Sequence, residues 1–158
     1  MKRFPFYKQY DSMLCGVTCL QMICEYFGRK YSMETLSNYC FATIEGISIL
    51  GLSEGANKLG LHTLCGRTTP ELLCQAPLPC ILHWNQNHFV VLYKIQKRSN
   101  KEYWFYIADP GRDLIRYNGK EFANFQNTNS ENNLSSLIED RQENKQFFNF
   151  PDLGLSSA

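Results

Sequence analysis

The sequence predicts an α+β domain, in which helices from the first half of the chain pack on one face of an antiparallel sheet from the second half. Two patterns lead to this prediction. Apolar residues recur at steps of three and four through roughly the first sixty residues, as they do on amphipathic helices. After Pro79, short runs rich in Val, Ile, Tyr and Phe are separated by polar turns, as antiparallel strands are.

Local signals place each predicted helix. The first ends at Gly28, which suits the left-handed position after a helix, and its apolar residues are Val17, Leu20, Ile23, Cys24 and Phe27. Ser32 is a predicted N-cap for a second helix that extends to residue 40. Ser48 is a predicted N-cap for a third helix that stops at Gly60. Thr69-Pro70-Glu71 resembles an N-cap followed by proline in the first helical position.

The predicted strands cover residues 61–65, 80–84, 88–95, 103–108 and 114–117. Residues 89–93 are apolar on both alternating faces, which is typical of a central strand covered on both sides. Residues 126–158 begin with a stretch rich in Asn, Ser, Gln and Glu that has little periodicity. The sequence therefore predicts one domain over residues 1–125 and a polar tail over residues 126–158 that is disordered or divergent.

Charge and hydropathy exclude several classes of function. The formal net charge of the 158 residues is +1, and the basic residues are scattered, which argues against a nucleic acid partner. No apolar segment follows Lys2 and Arg3 as it would in a secretion signal, and no stretch approaches the roughly 18 apolar residues of a membrane span. The chain as given is expected to be soluble and not exported.

The seven cysteines favour a reduced cytosolic compartment, because their number is odd and no secretion signal accompanies them. Most are expected to be small buried apolar residues. The sequence has no CxxC pair; Cys15 and Cys19 are four residues apart, and His83 and His88 are five apart. This spacing does not favour a zinc site.

Cys15 opens the first helical pattern, where the helix dipole favours a thiolate nucleophile. A cysteine considered alone is more often simply buried. His88 begins the most apolar strand; it could take the thiol proton and later protonate a leaving amine, or it could be a strand-edge histidine bonded to a loop carbonyl.

Two further residues complete a candidate site. Asp109 follows a strand and could orient the imidazole, although Asp-Pro-Gly is also an ordinary turn signal. Gln9 could join the Cys15 backbone N–H as an oxyanion donor, although a lone glutamine is usually solvated. Together the four residue types suffice for a cysteine peptidase, whose thiol chemistry requires neither a metal nor a nucleotide cofactor.

Three segments resemble one family: QYDSMLCGVTCL from Gln9, HFVVL from His88, and Asp109-Pro110. The resemblance covers residues 4–122 and is to the bacteriocin-processing cysteine peptidases, the N-terminal domains of peptidase-containing ABC exporters. It implies a papain-like fold on the cytoplasmic side of the bacterial inner membrane. It also implies cleavage of a leader peptide after a Gly-Gly pair as the exporter moves the cargo.

Matched position by position, the resemblance implies that Cys15 is the nucleophile, His88 the base, Asp109 its orienting partner and Gln9 the oxyanion donor. The implied partners are a leader peptide and the membrane and ATP-binding parts of an exporter, fused or separate. Trp84 is a candidate wall for a narrow cleft that accepts glycine, whereas Phe89 is better explained by core packing. Two alternatives remain: a related domain that holds cargo without cutting it, and another papain-like amidase.

Overall fold

The computed structural model describes residues 3–43, 46–84, 88–98, 101–127 and 134–140. Its helices are α1 (Cys15–Tyr26), α2 (Met33–Tyr39), α3 (Ile49–Lys58), α4 (Pro70–Leu73) and α5 (Gly119–Asn127). Its strands are β1 (Leu61–Arg67), β2 (Cys80–Trp84), β3 (His88–Lys97), β4 (Tyr103–Ala108), β5 (Leu114–Asn118) and β6 (Leu134–Asp140). Within these residues, no helix is long and apolar enough to cross a bilayer.

The predicted helix caps are confirmed. The side-chain oxygens of Ser32, Ser48 and Thr69 each accept the backbone N–H three residues further on, at 3.2, 3.0 and 3.3 Å. Gly28 and Gly60 have φ angles of 86° and 89°, the left-handed conformation that ends a helix. Serine, threonine and glycine therefore set the limits of these helices.

The strands form one sheet in the order β1-β6-β2-β3-β4-β5, and every neighbouring pair is antiparallel. Strands β2 to β5 follow one another in space as they do along the chain, which the sequence predicts. Strand β6 lies between β1 and β2 and comes from the segment assigned to the polar tail. Residues 128–133 and 141–158 lie outside the described residues, and a domain boundary at residue 125 stays a prediction.

The sheet is covered on both faces. On β3, Phe89 and Val91 face α1, α2 and α3, whereas Val90 and Leu92 face a second cluster that includes Leu73 of α4 and Phe122 of α5. The prediction that β3 is covered on both sides is confirmed. The prediction that the helices lie on one face holds only for the first three, because the apolar second face also requires a cover.

Helix α5 was absent from the sequence prediction, although a capping signal precedes it. The Asn118 side chain accepts the Glu121 N–H at 2.9 Å, and the Glu121 carboxylate accepts the Asn118 N–H at 3.0 Å. This reciprocal pair is a capping box. The helix buries Phe122, which is 0% exposed and stacks on Phe105 with ring centroids 4.2 Å apart.

Candidate active site

Cys15 is the first residue of α1 and is 3% exposed. A single 3-10 turn, Ser12–Leu14, leads into the helix, and the Asp11 carboxylate caps this turn by accepting the Met13 N–H at 3.0 Å. The thiol therefore lies at the positive end of the helix dipole, where negative charge is stabilised.

Gly16 allows the sheet to approach this end of the helix closely. A Cβ on Gly16 would lie 2.6 Å from Ile47 Cγ2, closer than a real Cβ sits, and 3.1 Å from Phe89 Cδ2, which is a tight contact. Phe89 directly follows His88 in β3. Cys15 is the neighbour of Gly16 in the chain, and His88 is the neighbour of Phe89. The close contact between Gly16 and Phe89 therefore brings His88 near Cys15.

His88 and Asp109 form a close polar pair. The His88 Nε2 is 2.7 Å from Asp109 Oδ1, and their side chains are 27% and 5% exposed. The same oxygen accepts the Gly111 N–H at 2.9 Å, which fixes the carboxylate. With Nε2 held by Asp109, the Nδ1 side of the ring is the one left for Cys15, which also forms a hydrogen bond with His88.

The charge balance at His88 favours the imidazolium. Burial of the ring lowers the pKa of His88, but the hydrogen bonds with Asp109 and Cys15 and their charges outweigh burial and raise it from 6.5 to about 9. His88 therefore carries a proton at neutral pH.

A tight turn after β4 connects Gln9 to this pair. The Gln9 backbone N–H donates to the Pro110 carbonyl at 2.9 Å. A Cβ on Gly111 would lie 3.4 Å from His88 Cε1, 3.4 Å from Asp109 Oδ1 and 3.6 Å from Gln9 Nε2. Gln9, His88 and Asp109 thus meet around Gly111, and the fourth predicted site residue, Cys15, is hydrogen-bonded to His88. Among the residues that the structure describes, the buried Gln9 Oε1 has no hydrogen-bond partner.

Sequence reasoning missed two residues that shape this site, Gly16 and Gly111. The Asp-Pro-Gly turn signal indicates a special role for Gly111. The sequence alone does not indicate which side chains pack against Gly16 or Gly111. Phe89 is 4% exposed and belongs to the core, as predicted. The side chain of Trp84, the candidate cleft wall, lies outside the described residues.

The other cysteines have environments unlike that of Cys15. All seven, each a described residue, are thiols. Burial raises the pKa of Cys24 and Cys80 to about 12 and that of Cys40 to about 11, and it raises the pKa of Cys19 strongly as well. These four thiols therefore stay protonated. Within the described ranges, no three His, Cys, Asp or Glu side chains come together as metal ligands.

In a comparison with known proteins, the chain matches the peptidase C39 family over residues 3–129. The chain belongs to the peptidase C39 family. It is 32% identical over 120 residues to the colicin V secretion/processing ATP-binding protein of Escherichia coli, and the match covers 76% of this chain. It is 31% identical over 121 residues to the lactococcin-G-processing and transport ATP-binding protein of Lactococcus lactis, covering 73%. This C39 chain spans only 16% of the length of each of these relatives.

Solved C39 structures share the fold. A double glycine motif protease from an AMS/PCAT transporter, solved in complex with its leader peptide, superposes with a TM-score of 0.75 at 26% identity. The superposition covers 87% of this chain and 92% of that one. The peptidase domain of Streptococcus ComA has the same TM-score at 22% identity and covers 88% and 100% of the two chains. This C39 chain is therefore a cysteine peptidase domain with the papain-like architecture of its structural neighbours.

Proposed function

We propose that this chain cleaves leader peptides after a Gly-Gly pair and is the peptidase part of an ABC exporter. One observation carries the proposal. In a chain of the C39 family, His88 forms hydrogen bonds with both Cys15 and Asp109, and Gln9 lies beside the turn that contains Asp109 and Gly111. These four side chains supply a nucleophile, an acid and base, an orienting carboxylate and an oxyanion donor.

In the first half of the reaction, the Cys15 thiolate attacks the carbonyl carbon of the scissile peptide. The electron pair of the carbonyl moves onto oxygen, and this oxyanion accepts hydrogen bonds from Gln9 Nε2 and the Cys15 backbone N–H. The tetrahedral intermediate collapses when the C–N bond breaks and His88 transfers its proton to the leaving amine. The leader then remains attached to Cys15 as a thioester.

In the second half, His88 is neutral and can accept a proton from water. The resulting hydroxide attacks the thioester carbon, the same donors stabilise the oxyanion, and the C–S bond breaks. The leader leaves as a carboxylic acid, which loses its proton to solvent, and the thiolate and imidazolium are restored. Asp109 holds one ring nitrogen throughout, so that the other stays directed at the reacting atoms.

Two of the similarities support the proposed substrate and partner. The double glycine motif protease holds a leader peptide, and it is 26% identical to this chain. The named relatives are secretion, transport and processing proteins, and this chain matches only a small part of each. We therefore propose that membrane and ATP-binding parts, fused or separate, accompany this domain on the cytoplasmic side of a bacterial inner membrane.

The test is to incubate the purified chain with a synthetic leader peptide that contains Gly-Gly and to locate any cut by mass spectrometry. The proposal predicts one cut after the second glycine. A peptide with alanine in place of that glycine is the matched substrate control, and Cys15→Ala is the matched enzyme control.

The other outcomes separate the alternatives. Leader binding without cleavage by the parent would favour a domain that only holds cargo. Equal cleavage of the Gly-Gly peptide and of the peptide with alanine in place of the second glycine would favour a different amidase. Either result would reject the proposed leader peptidase.

A further inference from the structure

Three cations and two aromatic rings form a patch on the sheet, away from the catalytic residues. Tyr106 pairs in register with Lys94 on β3 and with Arg116 on β5, so these side chains share one face. The Lys94 Nζ lies 5.0 Å from the Tyr106 ring centroid. The guanidinium groups of Arg98 and Arg116 lie 5.2 and 4.5 Å from the centroid of the Trp104 ring. We call Lys94, Arg98, Trp104, Tyr106 and Arg116 the cationic sheet face.

The charges of this face are not neutralised within the described part of the chain, where none of its three cations pairs with a carboxylate. The whole chain carries a formal charge of only +1, so this concentration of cations is local. Arg98 and Arg116 are exposed. A guanidinium stacked on a ring uses its flat surface, and its edge N–H groups remain available to bind a carboxylate.

The shape of the surroundings favours a chain segment over a flat membrane. Helix α1 ends at Tyr26. The Tyr26 ring packs on the Phe4 ring with centroids 5.7 Å apart, and the Phe4 ring stacks on the Tyr93 ring with centroids 4.6 Å apart. The cationic sheet face begins at the next residue, Lys94, which lies on the same side as Tyr93 because a bulge between Leu92 and Lys94 shifts the alternation of faces. The cationic sheet face is therefore recessed beside a helical layer roughly 10 Å thick, and a flat bilayer would contact the helix first. An extended peptide is narrow enough to lie on the recessed face.

We propose that the cationic sheet face binds an extended acidic segment of a partner polypeptide. Alternate residues of an extended chain lie on one side about 7 Å apart, so carboxylates at alternate positions can reach both guanidinium groups. Lys94 is six residues beyond His88 in β3, about 20 Å along the strand. The bound segment would therefore leave the catalytic cleft open, so that a partner can bind the domain without blocking peptide cleavage.

The probe is an eight-residue peptide of alternating aspartate and serine, and its affinity for the purified chain is measured by isothermal titration calorimetry. A peptide with lysine in place of aspartate is the charge control. The double variant Arg98→Gln/Arg116→Gln removes two cations from the face. Lys30→Gln/Lys58→Gln removes the same charge elsewhere, and Lys58 is matched because it also lies over a ring, that of Phe41, at 4.1 Å.

We expect the acidic peptide to bind and the lysine peptide not to bind. The face variant should bind about ten-fold more weakly, because it loses two exposed ion pairs that contribute roughly three-fold each. The Lys30/Lys58 variant should bind like the parent. Equal weakening by both double variants, no binding by the parent, or tighter binding to phosphatidylglycerol vesicles than to the peptide would each overturn the proposal. Cleavage of a Gly-Gly peptide, measured on the same samples, tests the proposed enzymatic function separately and should be the same in parent and variants.

Discussion

Asp109→Asn isolates the effect of one charge on His88. Asparagine has nearly the same shape as aspartate, and its oxygen can still accept hydrogen bonds from the imidazole and from the Gly111 N–H. The carboxylate charge that helps to raise the pKa of His88 is removed, whereas the burial that lowers it remains. We therefore expect the pKa of His88 to fall from about 9 toward its usual 6.5, while Cys15 continues to raise it.

The size of this effect follows from the pKa. The largest possible change, from about 9 to 6.5, corresponds to roughly 3 kcal/mol between the charged and neutral forms, reduced somewhat by solvent because the His88 side chain is 27% exposed. At this limit about 90% of the parent would carry the imidazolium at pH 8, against about 3% of the variant, whereas at pH 6 most of both proteins would carry it. The parent-to-variant ratio of kcat/KM should therefore rise between pH 6 and pH 8, by up to about twenty-fold.

The same shift affects folding. Because the folded pKa of His88 is raised, its contribution to the free energy of unfolding is complete below about pH 6.5 and is lost as the pH rises through about 9. Asp109→Asn should reduce this pH dependence, because it removes the part of the shift that comes from the Asp109 charge.

Two measurements check the reasoning: the pH profile of kcat/KM on a Gly-Gly peptide, and the NMR titration of the His88 ring, assigned with His88→Gln. Asp113→Asn is the matched control, because it removes an exposed carboxylate from the same turn. A parent-to-variant ratio that stays flat from pH 6 to pH 8, with an unchanged His88 titration, would refute the assigned charge coupling.

Four further substitutions test separate parts of the structure. Cys15→Ala should abolish cleavage and leave leader binding and the circular dichroism spectrum unchanged; retained cleavage would exclude this nucleophile. Gln9→Ala should lower kcat about 10²–10³-fold with little change in KM, and a defect confined to KM would reject the oxyanion role. Gly16→Ala should lower kcat/KM, because the methyl group would meet Ile47 at 2.6 Å and Phe89 at 3.1 Å and so push α1 away from the strand that begins with His88; full activity would show that this close approach is not required. Phe122→Ala should destabilise the fold by about 3–5 kcal/mol in urea unfolding, because the ring is fully buried, and a change below about 1 kcal/mol would show that α5 is not part of the core.

Local chemistry explains which parts of the fold could be predicted from the sequence. Serine caps begin α2 and α3, glycines end α1 and α3, and alternating apolar residues set the limits of β2 to β5, because each signal acts within a few residues. Strand β6 could not be found in this way. Its seven residues follow a polar stretch, and its place between β1 and β2 depends on pairing with strands more than fifty residues away in the chain.

The candidate site shows the same division. The residue types and order of Gln9, Cys15, His88 and Asp109 indicate the chemistry, because a thiol peptidase needs those groups. Their convergence depends on the packing of α1 against β3 at Gly16 and on the link from Gln9 to the turn after β4. Such contacts join distant segments, so no local pattern predicts them.

The most direct test of the central claim is to map where a mechanism-based inhibitor attaches. A peptide that ends in Gly-Gly-chloromethyl ketone is incubated with the chain at pH 7, and the labelled cysteine is identified by peptide mass mapping in the parent and in His88→Ala. The account predicts a single adduct on Cys15, although that thiol is only 3% exposed and Cys74 is exposed, and slow labelling when His88 is absent. Labelling at Cys74 alone, or equally fast labelling of Cys15 without His88, would contradict it.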